Sequence, residues 1–306
     1  MVNWTEAIQR AVSYVEAHLT EEIKYEEIAK QSFSSVFHFQ RVFGMLCGLS
    51  LGEYIRFRRL TEAGRELMRD DCRVIDVALK YGYESPDSFG RAFLKFHGIT
   101  PSEASKQSDC LRIFHPLKIK GVLEGGASMN CKVVEKEEMI LVGFGKRFYG
   151  VPYGRERAEQ EKEMFISTRA KQWLLRGAAS DYYTDYCVIQ NVDDAGYDFY
   201  IANELNAWTR ENLYNREVTG VDFMEGLDLK EMHIPKQQYA VFETQRSSQP
   251  MEAYMQIRES AVEWMQKNGY RFKEGPELAL LHWRTQTDRG SRYVEIRIPV
   301  EKDIHI

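Results

Sequence analysis

Apolar residues recur at helical spacing from the start of the chain. Trp4, Ile8, Ala11, Val12, Val15 and Leu19 line one face of an amphipathic opening helix. The chain then repeats itself at an offset of 50 residues, matching Ser35 with Ser85, Phe39 with Phe89, Arg41 with Arg91, Phe43 with Phe93, Gly48 with Gly98 and Ser50 with Thr100. The four-residue step from Phe39 to Phe43, and from Phe89 to Phe93, puts both rings of each pair on one buried helical face. Arg41 and Arg91, two positions on, point roughly the opposite way. Each copy follows a short helical segment, residues 25–31 and 74–81, then a break and a serine able to cap the next helix. That order predicts two helix-turn-helix units. Between them residues 51–68 predict one helix, apolar at Tyr54, Ile55, Leu60, Ala63 and Leu67, that spaces the units rigidly.

The pattern changes after residue 110. Gly121, Gly125, Gly126 and Ser128 mark a linker over residues 111–130, so the first domain is assigned to 1–110 and the second to 131–306. From Lys132 onward strands are expected at 140–144, 186–192 and 199–204 around a helix at 156–175. A second set follows at 232–234, 239–243, 278–284 and 294–300, with a helix at 251–268. The order β, α, β, β thus occurs twice. The predicted fold class is multidomain: an all-α double helix-turn-helix domain, then a duplicated β-α-β-β domain whose α+β halves share one antiparallel sheet and a cleft.

Composition narrows the function classes. The chain has 306 residues, 43% hydrophobic and 28% charged, which is ordinary globular usage and fits two domains. Its apolar runs, such as Met139 to Phe144, fall far short of the roughly 18 residues a membrane span needs, and Trp4, Glu6 and Arg10 replace any apolar signal core. The expected location is therefore the cytoplasm, with no membrane partner. Five dispersed cysteines, Cys47, Cys72, Cys110, Cys131 and Cys187, have no metal-ligand spacing, so neither a metal nor another cofactor is expected. A net charge of -5 gives no global sign of nucleic-acid binding, but residues 28–59 hold Lys30, Arg41, Arg56, Arg58 and Arg59 against Glu53 alone. This reads as a cationic stripe within a neutral domain.

The doubled F-x-R-x-F, the Y-I-R-x-R-R-L over residues 54–60 and the A-x-x-x-G-Y over 78–83 resemble the AraC/XylS DNA-binding domain, over about residues 3–107. The resemblance implies double-stranded DNA and RNA polymerase as partners, with the second helix of each unit in the major groove. Carried onto this chain, the first recognition helix presents Val36, Phe37, Gln40 and Arg41, and the second presents Pro86, Asp87, Gly90 and Arg91. Arginine pairs bidentately with guanine, glutamine with adenine, and an exposed Phe37 packs on a thymine methyl. One departure is Phe33, which stands in the first turn where the family has glycine; Gly82 keeps the glycine in the second.

The segments IPKQQYAVF at 234–242, YDFYIANE at 197–204 and VEIRIPV at 294–300 resemble the GyrI-like effector-binding domain. That resemblance implies a small-molecule effector, amphipathic and often cationic, held around a buried glutamate, here Glu295. In the last strand Val294, Ile296 and Ile298 alternate with Tyr293, Glu295 and Arg297, so Glu295 shares a face with larger side chains. Tyr293, Trp283, Trp208 and Tyr200 are the candidate walls, attractive to a cation through their ring faces. Against this, Trp283 and Trp208 are individually commoner as packing residues, and Arg297 and Arg292 are alternative partners for Glu295. Trp264 and Tyr254 are assigned to core. The leading function is a transcription regulator sensing a small molecule. Its rivals are an enzyme hydrolysing a reactive small molecule through Glu295, with no Ser/His/Asp set or phosphate loop to assist, and a DNA-binding protein whose second domain recruits a protein.

Overall fold

A computed structural model of the protein describes residues 3–69, 72–104, 111–118, 130–213, 215, 217, 220, 222–244, 250–283 and 292–303. The chain divides into two compact units. The first holds Met1–Phe43 and Ser50–Glu124, the second Gly44–Leu49 and Gly125–Ile306.

Helices α1 (Trp4–Ala17), α2 (Tyr25–Lys30), α3 (Val36–Cys47), α4 (Leu51–Leu67), α5 (Val74–Lys80), α6 (Pro86–His97) and α7 (Pro101–Ala104) precede the sheet. Their ends follow from local chemistry. Asn3 caps α1 by accepting from the Glu6 amide, and Ser50 and Glu53 form a reciprocal capping box at the head of α4. Ser35 and Ser85 cap α3 and α6, each hydroxyl oxygen accepting an amide three residues on, from His38 and Ser88, at 3.2 Å. Phe39, Phe43, Phe89 and Phe93 are buried, as their spacing requires. The first pair continues a ring chain from Trp4 to Tyr54 with centroids 6.0 to 6.3 Å apart. The second joins Leu60, Ala63, Leu67, Val77 and Ala78 in one core.

The two turns close alike. The Ser34 amide reaches the Ala29 carbonyl at 3.3 Å and the Tyr83 amide reaches that of Ala78 at 2.9 Å, the long bond of a Schellman motif. Phe33 and Gly82 precede those amides, both with left-handed backbone. Ser35 follows Ser34 directly, whereas Glu84 intervenes between Tyr83 and Ser85. The second turn is thus one residue longer.

The segment expected to begin the linker packs on the first unit instead. The Phe114 amide donates to Thr61 Oγ1 at 3.0 Å, its carbonyl accepts from Arg58 Nη1 at 2.6 Å, and its ring lies 5.4 Å from that of Phe57. Leu111 joins the same core. The glycines and serine that mark the linker all lie beyond residue 120, and Leu111 and Phe114 are apolar anchors that no periodicity announces. Gly121, Gly125, Gly126, Ser128, Cys110 and the side chain of Tyr254 lie outside the described residues.

The second unit contains β1 (Asn130–Lys136), β2 (Met139–Tyr149), α8 (Arg155–Ser167), α9 (Arg169–Ala178), β3 (Thr184–Gln190), β4 (Gly196–Asn203), α10 (Ala207–Asn212), α11 (Phe223–Gly226), β5 (Lys230–Ile234), β6 (Gln237–Glu243), α12 (Pro250–Asn268), β7 (Tyr270–Phe272), β8 (Glu277–His282) and β9 (Tyr293–Lys302). The sheet runs β1-β6-β9-β8-β3-β4-β2-β5, with β7 on β9, and every pairing is antiparallel. Read outward from the β8 to β3 seam, the halves are equivalent: β3, β4, β2 mirror β8, β9, β6. Each half lends its first strand to the other, since β1 pairs β6 and β5 pairs β2. The duplication expected from the element order is therefore present; β1 brings the first half to β-β-α-β-β, and the second half has the same order from β5 to β9 with the short β7 added. The helix expected at 156–175 is two helices, broken at Thr168, whose hydroxyl donates back to the Met164 carbonyl at 2.6 Å.

Side chains of α8, α9 and α12 meet one face of this sheet, where Arg157 lies over Phe199, Lys171 over Phe144, Arg176 on Asp185 and Trp264 against Phe242. Gly143 and Gly145 let β2 press against β4: a Cβ at either would sit 2.2 or 2.3 Å from the carbonyl oxygens of Ile201 or Phe199. Among the described residues no helix is long and apolar enough to cross a membrane.

Candidate functional site

Two surfaces follow from this fold. On α6, Pro86, Asp87 and Arg91 are exposed and Gly90 is half-buried with open space where a Cβ would stand. That helix presents its expected residues to solvent. On α3, Val36, Phe37 and Gln40 are half-buried, and Arg41 is only 8% exposed. The expectation that Arg41 faces outward is corrected: helical periodicity sets a side chain's direction, not what packs beyond it.

The cationic stripe is corrected as well. Arg58 is 3% exposed and bonds Glu16 through Nε and Nη2, at 2.8 and 2.7 Å, and Glu62 at 2.8 Å. Arg59 donates to the Leu19 and Glu21 carbonyls at 2.8 and 2.6 Å, and Lys30 pairs with Glu27. Arg58 therefore ties α4 to α1 and Arg59 ties α4 to the segment after α1, while the Lys30 pair lies within α2. Arg56 keeps an exposed head, 3.8 Å from Glu53.

The second surface is the sheet face away from the helices. Strand register places Tyr293, Glu295 and Arg297 of β9 beside Leu278 and Leu280 of β8, then Tyr186 and Val188 of β3, then Tyr200 and Ala202 of β4. Tyr239 and Val241 of β6 flank the other side. These apolar side chains, with Leu141, Met232 and Ile234, form one continuous cluster. Glu295 and Arg297 lie within it, their side chains 14% and 11% exposed, joined by an ion pair through Arg297 Nε. Tyr293 stacks on His282 at 4.2 Å, and the Thr184 hydroxyl lies 3.0 Å from His282 Nδ1. Burial holds the His282 imidazole below its usual pKa despite the pull of Glu295, and raises the phenols of Tyr186 and Tyr239 despite Arg297.

Glu295, Tyr293 and Tyr200 therefore share this face. Trp283 does not: its indole donates to Asp185 on the helix side, between the guanidiniums of Arg176 and Arg292 at 5.2 and 5.5 Å. Trp208 is 61% exposed on α10, apart from that cluster. Both tryptophans lie outside strands, where alternation assigns no face. Tyr186 and Tyr239 are wall residues the sequence reading missed, although each alternates in phase with a strand neighbour on the apolar face.

Comparison with known proteins agrees with this division. Residues 28–107 match a helix-turn-helix domain family, and residues 132–300 match the integron-associated effector binding protein family. AarP of Providencia stuartii, an HTH-type transcriptional activator, is 42% identical over 95 residues, 31% of this chain and 70% of AarP. The regulatory protein SoxS of Escherichia coli K12 is 33% identical over 96 residues, 31% of this chain and 90% of SoxS. The chain spans only 33% of another relative, the uncharacterized regulator YbfP of Bacillus subtilis, at 41% identity. Among solved structures, SAV2435 bound to tetraphenylphosphonium aligns with a TM-score of 0.42 and 15% identity, over 56% of this chain and 94% of that one. The chain is an AraC-type helix-turn-helix regulator of transcription whose second unit belongs to the integron-associated effector binding family.

Proposed function

We propose that this protein is a one-component transcription regulator: α3 and α6 enter two successive major grooves of double-stranded DNA, and the sheet face of the second unit that lies away from its helices holds a small amphipathic effector. The observation that carries this is the doubled, serine-capped second helix of the first unit, with Pro86, Asp87 and Arg91 in solvent on α6. Two recognition helices on one chain read half-sites one helical turn apart without a dimer. The protein acts in the cytoplasm, on promoters where RNA polymerase binds beside it.

The effector assignment rests on an apolar face with four tyrosines, Tyr186, Tyr200, Tyr239 and Tyr293, and one ion pair at its centre. That relatives of the first unit are named as regulators of transcription also favours sensing over hydrolysis. Gel-shift titration tests the DNA reading. Arg91→Ala should weaken operator binding by about 1–3 kcal/mol and relax preference at one base pair. Arg41→Ala, at a buried position, should lower the melting temperature and leave base preference unchanged. Unaltered binding by Arg91→Ala would refute the assignment of α6.

A further inference from the structure

The first unit contains a cavity of about 580 Å³ to which neither α3 nor α6 contributes. It lies along one side of α4, where Ile55, Arg56 and Arg59 stand three or four residues apart and so share a face. The entry to α2 adds Ile23 and Tyr25, and the turn before α6 adds Tyr81 and Tyr83. Small-molecule sites occupy roughly 300–1,000 Å³ and combine apolar walls with a few convergent polar groups.

The charges of this cavity differ in exposure. Glu21 and Glu22 reach it from exposed positions, and Arg56, also exposed, stands 3.8 Å from Glu53. Arg59 is half-buried. Its Nε and Nη2 donate to the carbonyls of Leu19 and Glu21; among the described residues Nη1 has no hydrogen-bond partner and the guanidinium has no carboxylate. Gly82 leaves that nitrogen room, since a Cβ there would sit 2.8 Å from it. Burial holds Arg59 below its usual pKa against the pull of the Tyr83 and Tyr25 phenols, and both Arg56 and Arg59 bear on the Tyr83 phenol. A cation drawn partly out of water and met by carbonyls and phenols lacks the anion that would compensate it.

We propose that this cavity is an effector site of the first unit, for a small organic acid whose carboxylate accepts from Arg59 and Arg56 while its apolar body lies against Ile23, Ile55 and the tyrosine rings. Bare phosphate, that of DNA included, would meet the guanidiniums and leave the apolar walls unfilled. Because the walls belong to α2, α4 and the turn before α6, occupancy biases the placement of one helix-turn-helix unit against the other and so changes operator affinity. That consequence rests on the reading of α3 and α6 as recognition helices.

Calorimetric titration of the full chain with 2-naphthoate, the neutral isostere 2-naphthamide and inorganic phosphate tests the site. The wild type should bind naphthoate about tenfold or more tightly than either other probe, the scale of one charge-assisted contact. Arg56→Gln should weaken naphthoate severalfold and leave naphthamide unchanged, and Arg59→Gln should abolish the difference between them. Ile23→Trp fills the cavity and should weaken both naphthyl probes with near-ultraviolet circular dichroism intact, so the test survives if Arg59→Gln, which also loses two carbonyl ties, fails to fold. Equal affinity for naphthoate and naphthamide overturns the acid, and phosphate bound as tightly as naphthoate overturns the apolar body. Silence from all three probes, or naphthoate binding that Arg56→Gln and Ile23→Trp leave unaltered, overturns the site. In gel-shift titrations saturating naphthoate should change operator affinity about fivefold or more in the wild type and not in Ile23→Trp. No change, where Arg91→Ala still weakens the operator, overturns the coupling; no effect of Arg91→Ala marks a failure of the recognition-helix reading instead.

Discussion

Phe33 and Gly82 occupy the same place in the two helix-turn-helix turns, and both have left-handed backbone, φ 52° and 81°. Only one is suited to it. Phe33 is 89% exposed, so its ring offsets nothing by burial, and a side-chain-bearing residue pays roughly 1–2 kcal/mol for this conformation. Part of that gain would be lost to glycine's freedom in the unfolded chain, roughly 0.4–1 kcal/mol. Phe33→Gly should therefore stabilise the protein by about 0.5–1 kcal/mol. Gly82→Ala should destabilise it by about 2 kcal/mol, because an added Cβ meets Arg59 Nη1 at 2.8 Å as well as an unfavourable φ. Urea denaturation of both variants checks the pair; the idea fails if the two substitutions change stability in the same direction.

The first unit ends beyond residue 110. Arg58 and Thr61 hold both backbone groups of Phe114, and the Phe114 ring fills the space beside Tyr54 and Phe57. A fragment ending at residue 118 should be more stable than one ending at 110 by about 2–4 kcal/mol, the scale of losing large buried side chains. In the full chain, Thr61→Val removes the acceptor of the Phe114 amide and should speed its hydrogen exchange. Equal melting temperatures for the two fragments would show that residues 111–118 are an ordinary tether.

His97 makes the first unit sensitive to acid. Its Nε2 donates to the Leu60 carbonyl at 3.0 Å, and Nδ1 has no hydrogen-bond partner among the described residues. Burial, with Arg112 nearby, holds the imidazole below its ordinary pKa. The folded state resists the proton while the unfolded chain takes it near pH 6.5. Stability is therefore full above that value and falls as pH drops below it, because the unfolded state binds more protons. Urea midpoints measured from pH 7.5 to 5.5 should decline in the wild type and decline less in His97→Leu. Parallel slopes would assign the acid sensitivity to other groups.

Much of this molecule is legible in its residues because the determinants are local. The 50-residue repeat, the phenylalanine steps and the capping serines act within one or two helical turns, so periodicity alone yields both helix-turn-helix units and their buried faces. Alternation in β9 likewise puts Glu295 with Tyr293 and Arg297 and away from Ile296, whatever the neighbouring strand. Phe33 is legible as an exception, since a bulky residue at a glycine position announces its own strain. Tertiary structure decided the rest. The burial of Arg41 depends on packing that no spacing encodes. The crossing of β1 and β5 between halves depends on pairings 87 to 113 residues apart in sequence, and Tyr239 comes beside Arg297 only through the pairing of β6 with β9. Trp283 is drawn to Asp185 and Arg176 on the helix side by hydrogen bonding and ring contact across strands. A charged or aromatic side chain reveals what it can bind, but its partner is set by the three-dimensional competition among all groups able to reach it. For that reason the cationic stripe reads as a docking surface in one dimension and becomes the ties of Arg58 and Arg59 in three.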